Sequence, residues 1–396
     1  MNESEYNVFK AAYYKATDSS LTQQAIGSRA GLGTQAQVSR LLAEARTRGY
    51  LREVFEFPAD MASDERDALR QKLERSFYKP HADLEKALAK RAQELCGTRS
   101  DGGNPFKRLH VVATPEWQGG DEDARKDAFA TYGANAAEIV ASYIDEAASC
   151  SVAWGRTIDA TVRHIRSRAK APGPAKVFMP IAGEPANYEP RGVSPSDAAR
   201  ILASDWPNSE APSLRGGPTR IPKSIYEDDT NGIARRMASY SKNYRMIFER
   251  PGGLIEDVAM ILTGIGDVTT SKRTGEPDDP WYRETADAED PDVLGLTVGN
   301  IGGVWIARNG LTEDETKKVE QVNKRWLGAQ HHDFRRCSLS CSLNSGELGR
   351  PGVVALAVEP EKASIVLETL YLVNVLIVSR KLADTLALKL LGPDRD

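Results

Sequence analysis

Four stretches of the chain carry residue types suited to holding a small polar or anionic molecule, and each lies at the end of an apolar run. The first is Trp154-Gly155-Arg156-Thr157. A glycine turn lets backbone N–H groups point at an anion, the start of a following helix adds a positive dipole, and Arg156 and Thr157 supply a guanidinium and a hydroxyl. The same residues also fit a plain strand-to-helix turn with a glycine and a cap. The second is Thr263-Gly264-Ile265-Gly266-Asp267, whose glycines permit close approach and whose Asp267 suits hydroxyl donors. The third is Val298-Gly299-Asn300-Ile301-Gly302-Gly303, with Asn300 as the hydrogen-bonding group. The fourth, Glu359-Pro360-Glu361-Lys362, puts Lys362 in the first turn of a helix, where a cation opposes the dipole. A positioned anion would account for that lysine, and so would ordinary solvation at a surface.

Nothing in the chain assembles a catalytic constellation. No Ser/His/Asp spacing and no Cys/His pair stands on a recognisable scaffold. His331 and His332 with Cys337 and Cys341 form the one metal-like grouping in the sequence, and their spacing matches no standard zinc module. No metal and no cofactor is expected. Trp154 reads as core or pocket wall rather than as a chemical group.

A different chemistry is written near the N-terminus, in LTQQAIGSRAGLGTQAQVSRLLAEARTRGY, Leu21 to Tyr50. Thr22 is placed as an N-cap, flanked by Leu21 and Ile26 as a hydrophobic staple. Gly27 and Gly31 fall where one helix passes a second and then turns. Thr34 and Gln37 fit a capping box for the second helix. Val38, Leu41, Leu42 and Ala45 then give one apolar face. The opposite face offers Gln35, Ala36, Ser39 and Arg40, suited to base edges and phosphates, while Arg46, Arg48 and Arg52 suit the phosphate backbone. An ordinary helical hairpin has the same outline. Between Lys15 and Arg52 six cations stand against two anions, a modest electrostatic footprint. Tyr50 to Phe57 reads as a strand or small wing.

These groups need elements to position them. Residues 1–58 read as the helix-turn-helix unit and 59–95 as a linking helix, with Leu84, Leu88, Ala92 and Leu95 at helical spacing and Pro80 as an interruption. Residues 96–396 alternate short apolar runs with helical patterns. Strands are expected at 109–113, 151–154, 176–182, 258–263, 353–358 and 375–378, with helices at 134–148, 158–168, 361–372 and 380–390 between and after them. That alternation predicts a parallel sheet covered on both faces, with ligands beyond the carboxyl ends of its strands. Pro185 to Pro222, Thr269 to Asp292 and Arg325 to Pro351 are rich in Pro, Gly, Ser or acidic residues and read as long loops or insertions.

A length of 396 residues fits two domains, and a net charge of −4 argues against a protein basic all over without excluding a small DNA-binding unit. Four scattered cysteines and a polar N-terminus predict reduced thiols in a cytoplasm. No run of about 18 apolar residues suggests a membrane span.

With both halves in view the chain resembles the SorC family of sugar-binding bacterial transcription regulators, grouped with DeoR-type regulators. LTQQAIGSRAGLGTQAQVSRLLAEARTRGYL, DLEKALAKRAQEL, YGANAAEIVASYI, SVAWGRTIDATVRHI, DVAMILTGIGDV, VGNIGGVWI and VALAVEPEKASIVLETLYLVNVLIVSRKLADTLALKL carry the resemblance in the family's order. It implies an α/β chain: a helix-turn-helix, with or without a wing, and a Rossmann-like effector domain of the sugar-phosphate isomerase and deaminase type. It implies a sugar, polyol or sugar-phosphate effector, operator DNA, no enzymatic activity, and a homodimer or homotetramer. By motif match the phosphate-side loop falls on Gly155, Arg156 and Thr157, a Gly-Ala loop on Gly133, Ala134 and Asn135, a Gly-Ile-Gly turn on Gly266 and Asp267, and a late lysine on Lys362. The chain departs from the family where Asn300-Ile301-Gly302-Gly303 replaces an acidic residue and a later Gly-Arg, and where Glu359-Pro360 replaces Gly-Gly. Those departures leave room for a constitutive DNA-binding protein with a decayed pocket. The fold also leaves room for an isomerase or deaminase fused to a DNA-binding unit.

Overall fold

The apolar spacing near the N-terminus produces three helices, α1 (Glu3–Thr17), α2 (Gln23–Ala30) and α3 (Gln35–Thr47), in the computed structural model. The structure describes residues 3–17, 21–47, 79–97, 103–115, 122–166, 174–184, 194–228, 232–268, 291–343 and 349–392. Thr22 caps α2 by accepting the Ala25 N–H at 3.2 Å. Gly31 ends the helix in the left-handed conformation, φ 63°. A Cβ on Gly27 would come within 3.0 Å of the Gly33 carbonyl oxygen, so the turn between α2 and α3 requires glycine there. Thr34 and Gln37 cap α3 reciprocally. The Thr34 N–H donates to Gln37 Oε1 at 2.7 Å and the Gln37 N–H donates to Thr34 Oγ1 at 3.4 Å. Ala11, Tyr14, Leu21, Ile26, Leu32, Val38 and Leu42 form the shared core. The expected wing, Tyr50 to Phe57, lies outside the described residues.

The chain divides into two compact units, residues 1–84 with 113–132 and residues 85–112 with 133–396. The helix Lys79–Gly97 buries Leu84, Leu88, Ala92 and Leu95 at the expected spacing. Pro80 stands in its first turn, where a missing N–H costs no intrahelical bond, and does not interrupt it.

Among the described residues the second unit is organised by eight strands: β1 (Arg108–Val112), β2 (Ser149–Val152), β3 (Val177–Pro180), β4 (Met260–Asp267), β5 (Thr297–Ile301), β6 (Val304–Ala307), β7 (Gly352–Ala357) and β8 (Val375–Ser379). Six of them pair in the order β1-β8-β7-β4-β2-β3, all parallel. β7 and β8 are buried over their whole length. Their unbroken Val, Leu, Ile and Ala runs are what a strand covered on both faces requires. From β2 the chain steps outward to β3 and then returns to place β4 on the other side of β2. In open α/β sheets such a reversal is where ligands bind, beyond the carboxyl ends of the strands, here those of β2 and β4.

Two stretches expected as loops are helical. The helix Pro195–Asp205, capped by Ser194, buries Ala198, Ala199 and Leu202 and packs beside β3. Its apolar residues are small and set among Pro and Ser, which hid the period. The helix His331–Leu339 buries Phe334 and Cys337 together with Asp333 and Arg335. Those charges made it look solvated, but Asp333 is paired with Arg250 and, at 2.7 Å, with Arg336. Residues 269–290 of the third expected insertion lie outside the described residues. Among the described residues no helix is long and apolar enough to cross a membrane.

Candidate functional site

The turn after β2, at this strand reversal, is Ala153-Trp154-Gly155-Arg156. Gly155 has φ 118° and nothing within 4 Å of where a Cβ would stand, so it faces open space in a conformation only glycine adopts easily. Arg156 follows as the first residue of the helix Arg156–Val162. The turn after β7 approaches the same place. Its Glu359 accepts from Arg156 Nη2 at 3.3 Å through one carboxylate oxygen and pairs with Lys362 Nζ at 3.1 Å through the other. The Glu359 and Lys362 side chains are only 11% and 12% exposed, against 44% for Arg156. A carboxylate so far from water persists because cations flank it. The sequence points to Arg156 and Lys362 as anion-seeking groups and sets Glu359 beside Lys362, but only the structure joins that carboxylate to both cations. The anion that accounts for Lys362 at its helix start is this neighbour three residues back.

Beyond the parallel sheet β4 continues through Gly264, Gly266 and Asp267 and pairs antiparallel with β5, Gly266 opposite Asn300 and Asp267 opposite Gly299. Gly266 and Asp267 are expected in a turn and Asn300 beyond the end of a strand; the structure places all three within strands. β5 and β6 form a hairpin closed by Gly302 and Gly303, with φ 55° and 88°. Positive φ at both central residues is the geometry that matches strand twist, and it demands glycine. A Cβ on Gly302 would strike Ile181, Thr263 and Phe334, and one on Gly303 would strike the Trp326 indole. The hairpin tip therefore lies over the end of β3 and the middle of β4. Asn300 is 7% exposed. Its Oδ1 accepts the Gly303 N–H at 3.3 Å, and its Nδ2 has no partner. Trp326 in turn stacks on Trp154 with ring centroids 5.8 Å apart. The tryptophan pair thus connects the hairpin to the Arg156 turn. Trp326 was not foreseen, because it lies in a stretch that reads as a polar loop.

Gly133, Ala134 and Asn135 do not form a loop. They lie inside the helix Glu122–Glu146. A Cβ on Gly133 would come within 3.0 Å of the Ala160 carbonyl group and of its Cβ, so this glycine lets two helices pack closely. Thr157 is buried, and its carbonyl accepts the Thr161 hydroxyl at 2.8 Å. The His and Cys grouping disperses. His331 pairs with the Tyr371 hydroxyl at 2.8 Å, Cys341 donates to the Pro351 carbonyl at 3.4 Å, and Cys337 is buried with its thiol pKa pushed up by desolvation. Among the described residues no group of three or more His, Cys, Asp or Glu is placed to hold a metal ion.

In the N-terminal unit Gln35, Ala36, Ser39 and Arg40 are all exposed on α3, opposite buried Val38 and Leu42. Arg46 lies in α3, and Arg48 and Arg52 lie outside the described residues.

Three N-terminal helices on the same chain as a parallel α/β sheet with a strand reversal have a counterpart among solved structures. The chain is similar to the full-length sorbitol operon regulator SorC from Klebsiella pneumoniae, at 17% identity and a TM-score of 0.53, over 96% of this chain and 97% of that one. It is likewise similar to a "probable sor operon regulator" from Shigella flexneri, at 17% identity and a TM-score of 0.50, over 76% of this chain and 97% of that one. At such identities the likeness establishes the shared fold. The sequence matches no protein-family model and no curated protein.

Proposed function

We propose that the protein is a DNA-binding transcription regulator whose sheet domain binds a carbohydrate effector. The observation that carries this reading is the exposed face of α3, Gln35, Ala36, Ser39 and Arg40, on a helix rigidly capped and cored for presentation to a major groove. A chain-long fold likeness to a sorbitol operon regulator supports the pairing of that helix with an effector domain. The effector crevice lies at the carboxyl ends of β2, β4 and β7, lined by Trp154, Arg156, Lys362 and the β5–β6 hairpin. Arg46, Arg48 and Arg52 serve phosphates, and the protein works as a homodimer or homotetramer on operator DNA in the cytoplasm. It catalyses no reaction. Effector binding shifts the relative placement of subunits and so the spacing of their recognition helices.

The test is titration of the purified protein into labelled DNA from upstream of its own gene, with and without a pooled panel of sugars, polyols and their phosphates. Specific binding that changes with the pool is the expected result. Specific binding that ignores the whole pool would leave a constitutive regulator, and no specific binding at moderate salt would remove the DNA-binding reading.

A further inference from the structure

Within that reading, the crevice carries information about which carbohydrate it admits. Arg156 and Lys362 are cations there that a phosphate would seek. Both are already paired with one carboxylate, each to its own oxygen of Glu359, at 3.3 Å and 3.1 Å. The turn that presents Glu359 also has few backbone donors left for an anion. Pro360 has no N–H. The Lys362 N–H is directed to the Glu359 carbonyl at 3.1 Å, and the Ala363 N–H goes to the Pro360 carbonyl. We propose that Glu359 is a resident anion that closes the Arg156–Lys362 pair to phosphate, so that the crevice takes an unphosphorylated polyhydroxy ligand.

The argument is one of charge balance. An incoming phosphate would bring about two negative charges within a few ångströms of a carboxylate shielded from water. It would have to compete with the Glu359 carboxylate for both cations, weakening ion pairs that hold a carboxylate shielded from water. A sugar or polyol hydroxyl faces no such conflict. It donates to a carboxylate oxygen and accepts from the guanidinium without altering the balance. The buried Asn300 Nδ2, a donor with no partner in the neighbouring hairpin, suits a hydroxyl or carbonyl oxygen equally well.

The experiment uses the full chain and inorganic phosphate as the probe, titrated calorimetrically in a phosphate-free buffer of low ionic strength. The unaltered protein is expected to give no saturable phosphate binding. Glu359→Gln keeps the shape and removes the charge, and it should bind phosphate at least about tenfold more tightly than the parent. Glu359→Ala reads the same change should the first variant fold poorly. Adding Lys362→Met to either variant should abolish the gain, which places the new phosphate in this crevice. Saturable phosphate binding by the parent overturns the proposal, as does failure of both charge-removing variants to gain affinity. A parallel titration of the DNA complex with sugars against their phosphate esters should give a response to the parent sugars alone. A response to the esters alone overturns the proposal while leaving the regulator reading intact, because DNA binding is read independently of it.

Discussion

Gly133→Ala sets two physical effects against each other at one residue. Replacing glycine by alanine inside a helix is ordinarily favourable by about 1 kcal/mol. Here the added methyl would come within 3.0 Å of the carbonyl carbon, the carbonyl oxygen and the Cβ of Ala160. Overpacking a buried contact costs about 1–3 kcal/mol, and the upper part of that range applies because a carbonyl group held in a helix cannot rotate aside as a side-chain tip can. The steric term wins, and the substitution should destabilise the second unit by about 1–2 kcal/mol net. Gly97→Ala is the matched control. It too is a helical glycine, but it is exposed with nothing within 4 Å of its Cβ position, so it should leave stability unchanged or raise it by about 0.5 kcal/mol. Urea unfolding followed by tryptophan fluorescence reads both, since Trp154, Trp206, Trp305 and Trp326 all report on the second unit. The midpoint should fall for Gly133→Ala and hold or rise for Gly97→Ala. A Gly133→Ala midpoint at or above the parent's would refute the close-packing account and return Gly133 to the list of ligand-loop residues.

Three further outcomes follow from other parts of the molecule. Arg40→Ala should weaken specific operator binding by about 1–3 kcal/mol in a gel-shift titration while leaving effector binding intact; unchanged operator affinity would remove the docking of α3. Burial pushes the Cys150 thiol up to about 12 and raises Cys337 and Cys341 as well, so a thiol reagent at mildly alkaline pH should label Cys150 and Cys337 only on unfolding, and fast labelling of either in the native protein would contradict their placement. Burial also lifts the Tyr143 phenol, whose oxygen meets His110 Nε2 at 2.8 Å, to about 12. Because this pKa is raised above the unfolded value near 10, its contribution to stability is complete below about pH 10 and is lost as pH climbs through 12; Tyr143→Phe should lessen that alkaline decline in a denaturation series, and an identical decline would point to another group.

Period and punctuation made much of the fold readable in advance. Val38, Leu41, Leu42 and Ala45 can lie on one face only in a helix, and Thr34 with Gln37 marks its start, so the start and buried face of α3 were legible. β7 and β8 were legible because a strand buried on both faces must be apolar throughout. The helix Pro195–Asp205 was not, since Ala198 and Ala199 add little hydrophobic contrast among Pro and Ser. The helix His331–Leu339 was hidden for another reason. Asp333 and Arg335 are buried through pairing with distant Arg250 and with the Tyr371 carbonyl, which Arg335 Nη1 reaches at 2.7 Å, and long-range pairing leaves no local periodic trace. The β5–β6 hairpin was not legible, because its glycines signal a turn without saying what flanks it.

The site divides along the same line. Glycines announce where backbone geometry is special but not why, so Gly155, Gly133 and Gly303 looked alike in sequence. In the structure Gly155 opens to the crevice, Gly133 admits a neighbouring helix and Gly303 admits the face of Trp326. Charge is different, because its meaning depends on its partner. Lys362 at the start of a helix called for an anion, and the sequence held one three residues earlier in Glu359. A lone lysine invites a phosphate from solution, whereas a lysine joined to Arg156 through a buried carboxylate has its counter-ion supplied by the chain. The ion triad therefore decides ligand class where the individual cations could not, and removing the Glu359 charge alone should convert one kind of crevice into the other.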